Sequence, residues 1–370
     1  SDMEQAKEQE DIDIIGQFGV GFYSAFMVSD KITVISRKYG DGEGWKWQSS
    51  GADGYTIVPC EKETQGTEII MEIKPDTDGE DYSRFLNENS LAALVKKYSD
   101  YIRYPVQMEM EHSRNKNAGQ ADAEPEWETY REVDTLNSMV PIWQRNKNEV
   151  KQEDLDNFYK EKFFDFEDPL KTIRVDAEGL ISYKALLFIP AKASYDYYTK
   201  EYKKGLQLYS SGVLIMDRCE ELVPEHFRFV RGVVDSQDLQ LNISRETLQH
   251  NSQLRAIAKK IEKKITSELK KMRDNDREEY EKFFENFGRG LEFGIYNSYG
   301  MLKDQLADLL LFYSAKQEKL VTLDEYLEAA PADQKAIYYA AGESVERLAK
   351  MPIVKTVLGK GYDVLLCTKD

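Results

Sequence analysis

Gly16-Gln17-Phe18-Gly19-Val20-Gly21-Phe22-Tyr23-Ser24-Ala25-Phe26-Met27-Val28, followed two residues later by Lys31-Ile32-Thr33-Val34-Ile35-Ser36-Arg37, decides the fold class. Three glycines in six residues stand directly before an apolar run, and Phe22–Val28 reads as a buried helix. Lys31–Arg37 then alternates with period two, as a half-buried strand does. A helix running straight into strands predicts a mixed α/β (α+β) domain. Glycines let backbone approach a ligand, and a helix N-terminus behind them offers free N–H groups that suit phosphate. A tight turn before a packed helix is the plainer reading of the same residues. A dinucleotide fold is excluded, because no Rossmann-type strand precedes the loop and no acidic ribose ligand follows it.

Outward from this stretch, Gly44–Gln48, Tyr55–Val58 and Thr67–Ile73 read as further strands separated by glycine-containing turns. Leu91, Leu94, Val95 and Tyr98 share one helical face, and Pro105–Met110 offers a closing strand. Between Glu111 and Glu126 the apolar residues are alanines among Asn, Gln, Gly, Pro and charges, which predicts a flexible polar linker over 111–126. A second domain is expected from Trp127, with strands at Ile181–Ile189, Leu206–Ile215 and Leu239–Ile243. Leu254, Ile257, Ile261, Ile265, Leu269 and Met272 then form one stripe of a long helix. The expected divisions are 1–110, 111–126, 127–253, a helical part at 254–315 and a small α/β part at 316–370.

Composition narrows the function. The 370 residues carry 67 Asp and Glu against 50 Lys and Arg, a net charge of −17, so nucleic acid is a poor partner. No apolar run is long enough to span a membrane, and Ser1–Glu10 has no signal-peptide core. Cys60, Cys219 and Cys367 are scattered and odd in number, as in a reducing compartment, so a cytoplasmic location is expected. His112, His226 and His250 lie apart, and neither C-x-x-C, H-E-x-x-H, G-x-S-x-G nor a Walker A sequence occurs, so no metal site is expected. Asp76–Asp81 resembles the start of a calcium loop but has glycine at the wrong position, and reads as a polar turn.

Three further features are candidates for chemistry or contact. In Leu239–Gln249 an alternating strand runs into a helix capped by Ser244, placing Arg245 in the first helical turn. A cation there opposes the helix dipole, at a cost of up to ~1 kcal/mol. Such an arginine, with Gln249 four residues on, suits a phosphate arriving from outside the domain; a salt bridge to Asp235, Asp238 or Glu246 is the other reading. Trp143, between Pro141 and polar residues, and Tyr195, Tyr197 and Tyr198, beside lysines, suggest contact surfaces or the edge of a core.

Ile14–Ser24, Pro141–Lys147, Phe229–Ser236 and Leu241–Gln249 together resemble, in order, four signatures of the ninety-kilodalton heat-shock chaperones. The short linker resembles that of the bacterial member. The resemblance implies an ATP-driven, homodimeric chaperone for unfolded or partly folded client proteins, using ATP with Mg2+ and no nucleic acid or membrane partner. It implies a Bergerat-type ATP-binding sandwich at the N-terminus, here a remnant, and then the three parts of a middle domain. Gly16, Gln17, Phe18, Gly19, Val20, Gly21 and Phe22 would hold the phosphates and Thr67 would lie near adenine. Arg245 would reach the γ-phosphate with Gln249 in support, and Trp143, Tyr195, Tyr197 and Tyr198 would face clients. Leu214 stands where some members carry Phe. The family's general base and its magnesium- and adenine-binding residues are expected before Ser1, and its dimerisation domain after Asp370. No ATP is therefore expected on this piece alone, which is expected to be inactive as an ATPase. The alternatives are a DNA-acting ATPase of the same superfamily and a non-catalytic client- or co-chaperone-binding module.

Overall fold

The computed structural model describes residues 21–117, 124, 126–179, 181–239 and 252–368. Of these, 21–141 with 211–214 form one compact unit, and the remainder of the described residues from 142 onward form a second.

The first unit opens with a 3-10 turn, Gly21–Ser24, running into a one-turn helix α1 (Ala25–Val28). Four strands follow, β1 (Ser29–Arg37), β2 (Gly44–Ser49), β3 (Tyr55–Cys60) and β4 (Gly66–Ile73), in the antiparallel order β3-β2-β1-β4. The first was legible from alternation and the other three from the glycine-containing turns that bound them. The helical segment is shorter and more open than the expected buried helix. Tyr23 and Met27 face solvent, while Phe22 and Phe26 pack edge-on against Trp47 at 5.6 and 6.4 Å. Helix α2 (Glu88–Tyr98) is capped by the Asn87 side chain, which accepts from Ser90 N at 2.9 Å.

The expected linker at 111–126 needs correction at its start. Strand β5 (Gln107–Asn115) pairs antiparallel with β6 (Trp127–Thr135), so Glu111–Asn115 are strand rather than flexible chain. The polar composition misled because the charged side chains find partners across the hairpin. His112 meets Asp134 at 3.0 Å, Arg114 meets Glu128 at 3.1 Å and Lys116 meets Glu126 at 3.0 Å. Such exposed pairs contribute ~0–1 kcal/mol each, and the backbone ladder supplies the order. Trp127–Pro141 accordingly belongs to the first unit rather than opening the second domain.

The second unit is built on a five-stranded sheet ordered β10-β9-β11-β8-β7, comprising β7 (Lys171–Ala177), β8 (Tyr183–Ile189), β9 (Leu206–Ser210), β10 (Val213–Cys219) and β11 (Arg231–Asp235). Leu206–Ile215, expected as one strand, is divided by a turn in which Ser211 and Gly212 both take positive φ, 50° and 77°. Helix α3 (Gln152–Phe163) lays Tyr159 on Phe188 of β8 at 5.1 Å. The long helices α4 (Ser252–Asn275) and α5 (Arg277–Asn297) pack together. The expected α4 stripe, Leu254 to Met272, is buried throughout, and Phe283, Phe287 and Leu291 of α5 join the core.

After the short helix α6 (Lys303–Leu306) the chain builds a small four-stranded sheet in the order β13-β12-β15-β14. Its strands are β12 (Phe312–Ser314), β13 (Lys319–Val321), β14 (Tyr339–Ala341) and β15 (Leu365–Cys367). Helices α7 (Leu323–Glu328), α8 (Val345–Ala349) and α9 (Pro352–Gly359) complete it, α7 behind a Thr322–Glu325 capping box. The expected mixture of helix and strand is thus observed in both units. Leu239 is buried; the rest of the strand expected at Leu239–Ile243 lies outside the described residues.

Candidate functional site

Of the candidate phosphate loop, Gly16, Gln17, Phe18, Gly19 and Val20 lie outside the described residues, as do Arg245 and Gln249. Gly21, Phe22 and Thr67 are described, and strand register relates them. Thr67 pairs with Ser36 of β1, and Val34, two residues earlier, pairs with Trp47 of β2. Directly paired residues and those two apart share a sheet face, so Ser36, Thr67 and Trp47 lie on one face. That is the face on which Phe22 and Phe26 rest. The Ser36 and Thr67 hydroxyls are hydrogen-bonded at 2.8 Å.

The glycine-loop helix is fastened to this sheet through its carbonyl end. Lys74, just past β4, donates from Nζ to Phe26 O at 3.0 Å and to Met27 O at 3.1 Å, and Ser29 Oγ caps Ala25 O. A cation on the last carbonyls suits the negative end of a helix. Phe26 also packs 3.4 Å from where a Cβ would stand on Gly51, whose φ of +96° favours glycine. These contacts hold the helix that follows the glycine loop on the sheet face that carries Thr67. Among the described residues, no atom lies within 4 Å of a Cβ position at Gly21. Among the described residues no His, Cys, Asp and Glu grouping could hold a metal ion.

The expected contact surfaces need a correction each. Trp143 is buried, 3% exposed, with its indole N–H donating to Asp235 Oδ2 at 3.0 Å and its ring 5.2 Å from Tyr209 and 6.0 Å from Phe158. Gln144 Nε2 donates to the same carboxylate oxygen at 2.9 Å. Pro141 and the polar flanks suggested a surface loop; a buried carboxylate on β11 instead draws the indole inward. Tyr197 is likewise core, 2% exposed, against Tyr202 at 5.0 Å and Phe287 at 5.3 Å. Burial pushes its phenol well above the ordinary tyrosine range.

Tyr195 and Tyr198 do reach the surface. Tyr195 is fully exposed, and Tyr198 is 54% exposed with its hydroxyl donating to Asn286 O. The segment carrying them is held rigidly from below. The Arg228 guanidinium stacks 4.8 Å over Tyr202 and 5.6 Å over Tyr197, donates to Tyr202 O at 3.0 Å and pairs with Glu225 at 3.0 Å. Asn286 of α5 accepts from Ala193 N at 3.1 Å. Sequence reading missed Arg228 and Asn286, since nothing local marks them. Phe293 and Tyr296 of α5 were also missed, although their three-residue spacing on an exposed stripe was a readable signal.

Comparison with known proteins gives the family. The sequence model of the family described as Hsp90 protein matches residues 109–370, and the chain belongs to that family. Among curated relatives, the chaperone protein HtpG of Clostridium acetobutylicum is 58% identical over 98% of this chain and 57% of its own length. Chaperone protein HtpG of Clostridium botulinum strain Hall is 56% identical over the same shares. That of Clostridium perfringens is 54% identical over 99% of this chain and 59% of its own length. The chain therefore spans less than two thirds of the relatives it matches. Among the described residues, no helix is long and apolar enough to cross a membrane.

Proposed function

We propose that this chain is part of an ATP-dependent molecular chaperone that binds unfolded or partly folded proteins in the cytoplasm. In this reading ATP binding and hydrolysis drive closure of a homodimer. The N-terminal unit belongs to a Bergerat-type nucleotide site. Backbone N–H groups of Gly16–Phe22 hold the phosphates, and Thr67 lies toward the adenine. Bound Mg2+ would neutralise phosphate charge, held by residues other than those described. Arg245 completes the site at the γ-phosphate, steadied by Gln249. The observation that supports the nucleotide part is the shared sheet face: the helix after the glycine loop packs on Trp47, on the face that carries Thr67.

Client contact falls to Tyr195 and Tyr198 beside Lys200 and Lys203, where exposed rings sit on a rigid base. Tyrosine supplies contact area at low entropic cost, and its hydroxyl tolerates water between encounters. Trp143 and Tyr197 serve from behind as core. The test is light scattering of a chemically denatured model protein during refolding. The chain should suppress aggregation, and Tyr195→Ser should weaken that suppression. No suppression by the unaltered chain would overturn the client reading.

A further inference from the structure

Helix α5 carries two working faces. One is buried through Phe283, Phe287 and Leu291. The other is a stripe at Glu278, Glu281, Glu285, Arg289, Glu292 and Tyr296, stepping by three or four residues, that walls a groove of about 850 Å³. Its floor is apolar: Phe284, Leu311, Phe312, Leu320 and Leu366. Phe293 and Tyr296, 56% and 77% exposed, form an aromatic lip at one end, their rings stacked at 6.2 Å.

Length, charge and composition identify the occupant. The stripe runs from Glu278 to Tyr296, about 27 Å at ~1.5 Å per residue. A drug-sized molecule would cover a fraction of that, whereas about eight residues of extended chain match it at ~3.3 Å each. The charged rim carries four glutamates, Glu278, Glu281, Glu285 and Glu292, against Lys282 and Arg289, with Glu278 paired to Lys282 at 3.7 Å and Glu281 to Arg277 at 3.1 Å. Glu285 meets no cation among the described residues. A second copy of the chain is a poor fit, because each copy carries a net charge of −17.

We propose that this groove binds an extended client segment in which apolar side chains alternate with lysine or arginine. Apolar side chains enter the floor between α5 and the terminal sheet, the aromatic lip stacks on the segment's end, and the outward cations meet the glutamate rim. This deepens the chaperone reading and rests on it, by naming the kind of client sequence preferred and a second contact region beyond Tyr195 and Tyr198.

The test uses the whole 370-residue chain and a fluorescent peptide of about twelve residues alternating leucine and lysine, long enough to span the groove. Anisotropy titration should give saturable binding, and a leucine–glutamate peptide should bind at least about tenfold more weakly. Phe293→Ser with Tyr296→Ser, both at exposed positions, should weaken binding about tenfold, the scale of one anchoring aromatic, without changing the melting temperature. Glu278→Lys with Glu285→Lys should shift preference toward the leucine–glutamate peptide. The peptide should also protect Cys367, in the groove wall, from alkylation while leaving Cys60 reactive.

Absence of peptide binding, equal affinity for both peptides, or affinity unchanged in the lip variant would overturn the groove assignment. So would self-association that the lip variant abolishes, which would make a second copy the occupant. Aggregation suppression measured in parallel separates the two claims. Suppression that persists without peptide binding would sink the groove alone, whereas absence of suppression by the unaltered chain would sink the chaperone reading.

Discussion

Trp143 Nε1 donates to Asp235 Oδ2 at 3.0 Å, joining residues 92 positions apart and tying the Pro141–Lys147 segment to the end of β11. The same oxygen accepts from Gln144, so one buried carboxylate fixes two successive side chains. Both groups belong to segments that stood out in the sequence, and the contact gives a structural reason for them. Removing the ring should open a cavity: Trp143→Ala is expected to cost about 3–5 kcal/mol. Trp143→Phe keeps most of the packing and loses a donor to a buried carboxylate, for about 1.5–3 kcal/mol. Urea denaturation checks both, and near-equal losses would mean that the hydrogen bond outweighs the packing.

The tyrosine segment should divide the same way. Tyr197→Ala removes a ring packed on Tyr202 and Phe287 and should cost about 3–5 kcal/mol. Tyr195→Ala alters a fully exposed ring and should stay within about 0.5 kcal/mol while weakening client binding. Denaturation midpoint and client affinity are to be read on the same variants. A stability loss at Tyr195 with unchanged affinity would make it structural.

A pair between the 3-10 turn Glu225–Phe227 and α4 should make stability depend on acid. His226 Nε2 lies 3.3 Å from Glu262 Oε1, and Gln305 Nε2 donates to that oxygen at 2.7 Å. Gly294 of α5 permits the approach, since a Cβ there would stand 2.7 Å from the His226 Cβ. The adjacent His226 imidazole first, then the Gln305 hydrogen bond, hold the Glu262 carboxyl below its ordinary 4.5 despite partial burial. A depressed native value means that the contribution is complete above pH 4.5 and is lost as pH falls through the lower native value. Melting temperature should therefore fall less steeply below pH 4.5 in Glu262→Gln than in the unaltered chain. Parallel curves would show that the pair contributes nothing to acid sensitivity.

Local periodicity carried the elements that depend on it. The α4 stripe, the alternating Lys31–Arg37 and the turn-bounded strands of the first unit needed no knowledge of distant residues, because each pattern is local. What failed was set by distant partners or by turn geometry. Trp143 looked exposed because Asp235, the group that draws it inward, lies in another element. Glu111–Asn115 looked like linker because their charges are satisfied only across the hairpin. The β9–β10 turn was hidden because Ser211 takes the positive φ that Gly212 alone announces. Of the candidate contact residues, the exposed Tyr195 and Tyr198 were legible from residue type. The α5 groove was not, since its second wall comes from strands of the terminal sheet.

The central claim is that the glycine loop and Arg245 serve one nucleotide site. It is tested most directly by measuring ATP affinity and single-turnover hydrolysis in the full-length protein with Arg245→Ala. The account predicts unchanged affinity and hydrolysis slowed by as much as about 10³-fold, the scale of an arginine acting on a transferring phosphoryl group. Unchanged turnover, or equal loss of binding and turnover, would contradict it.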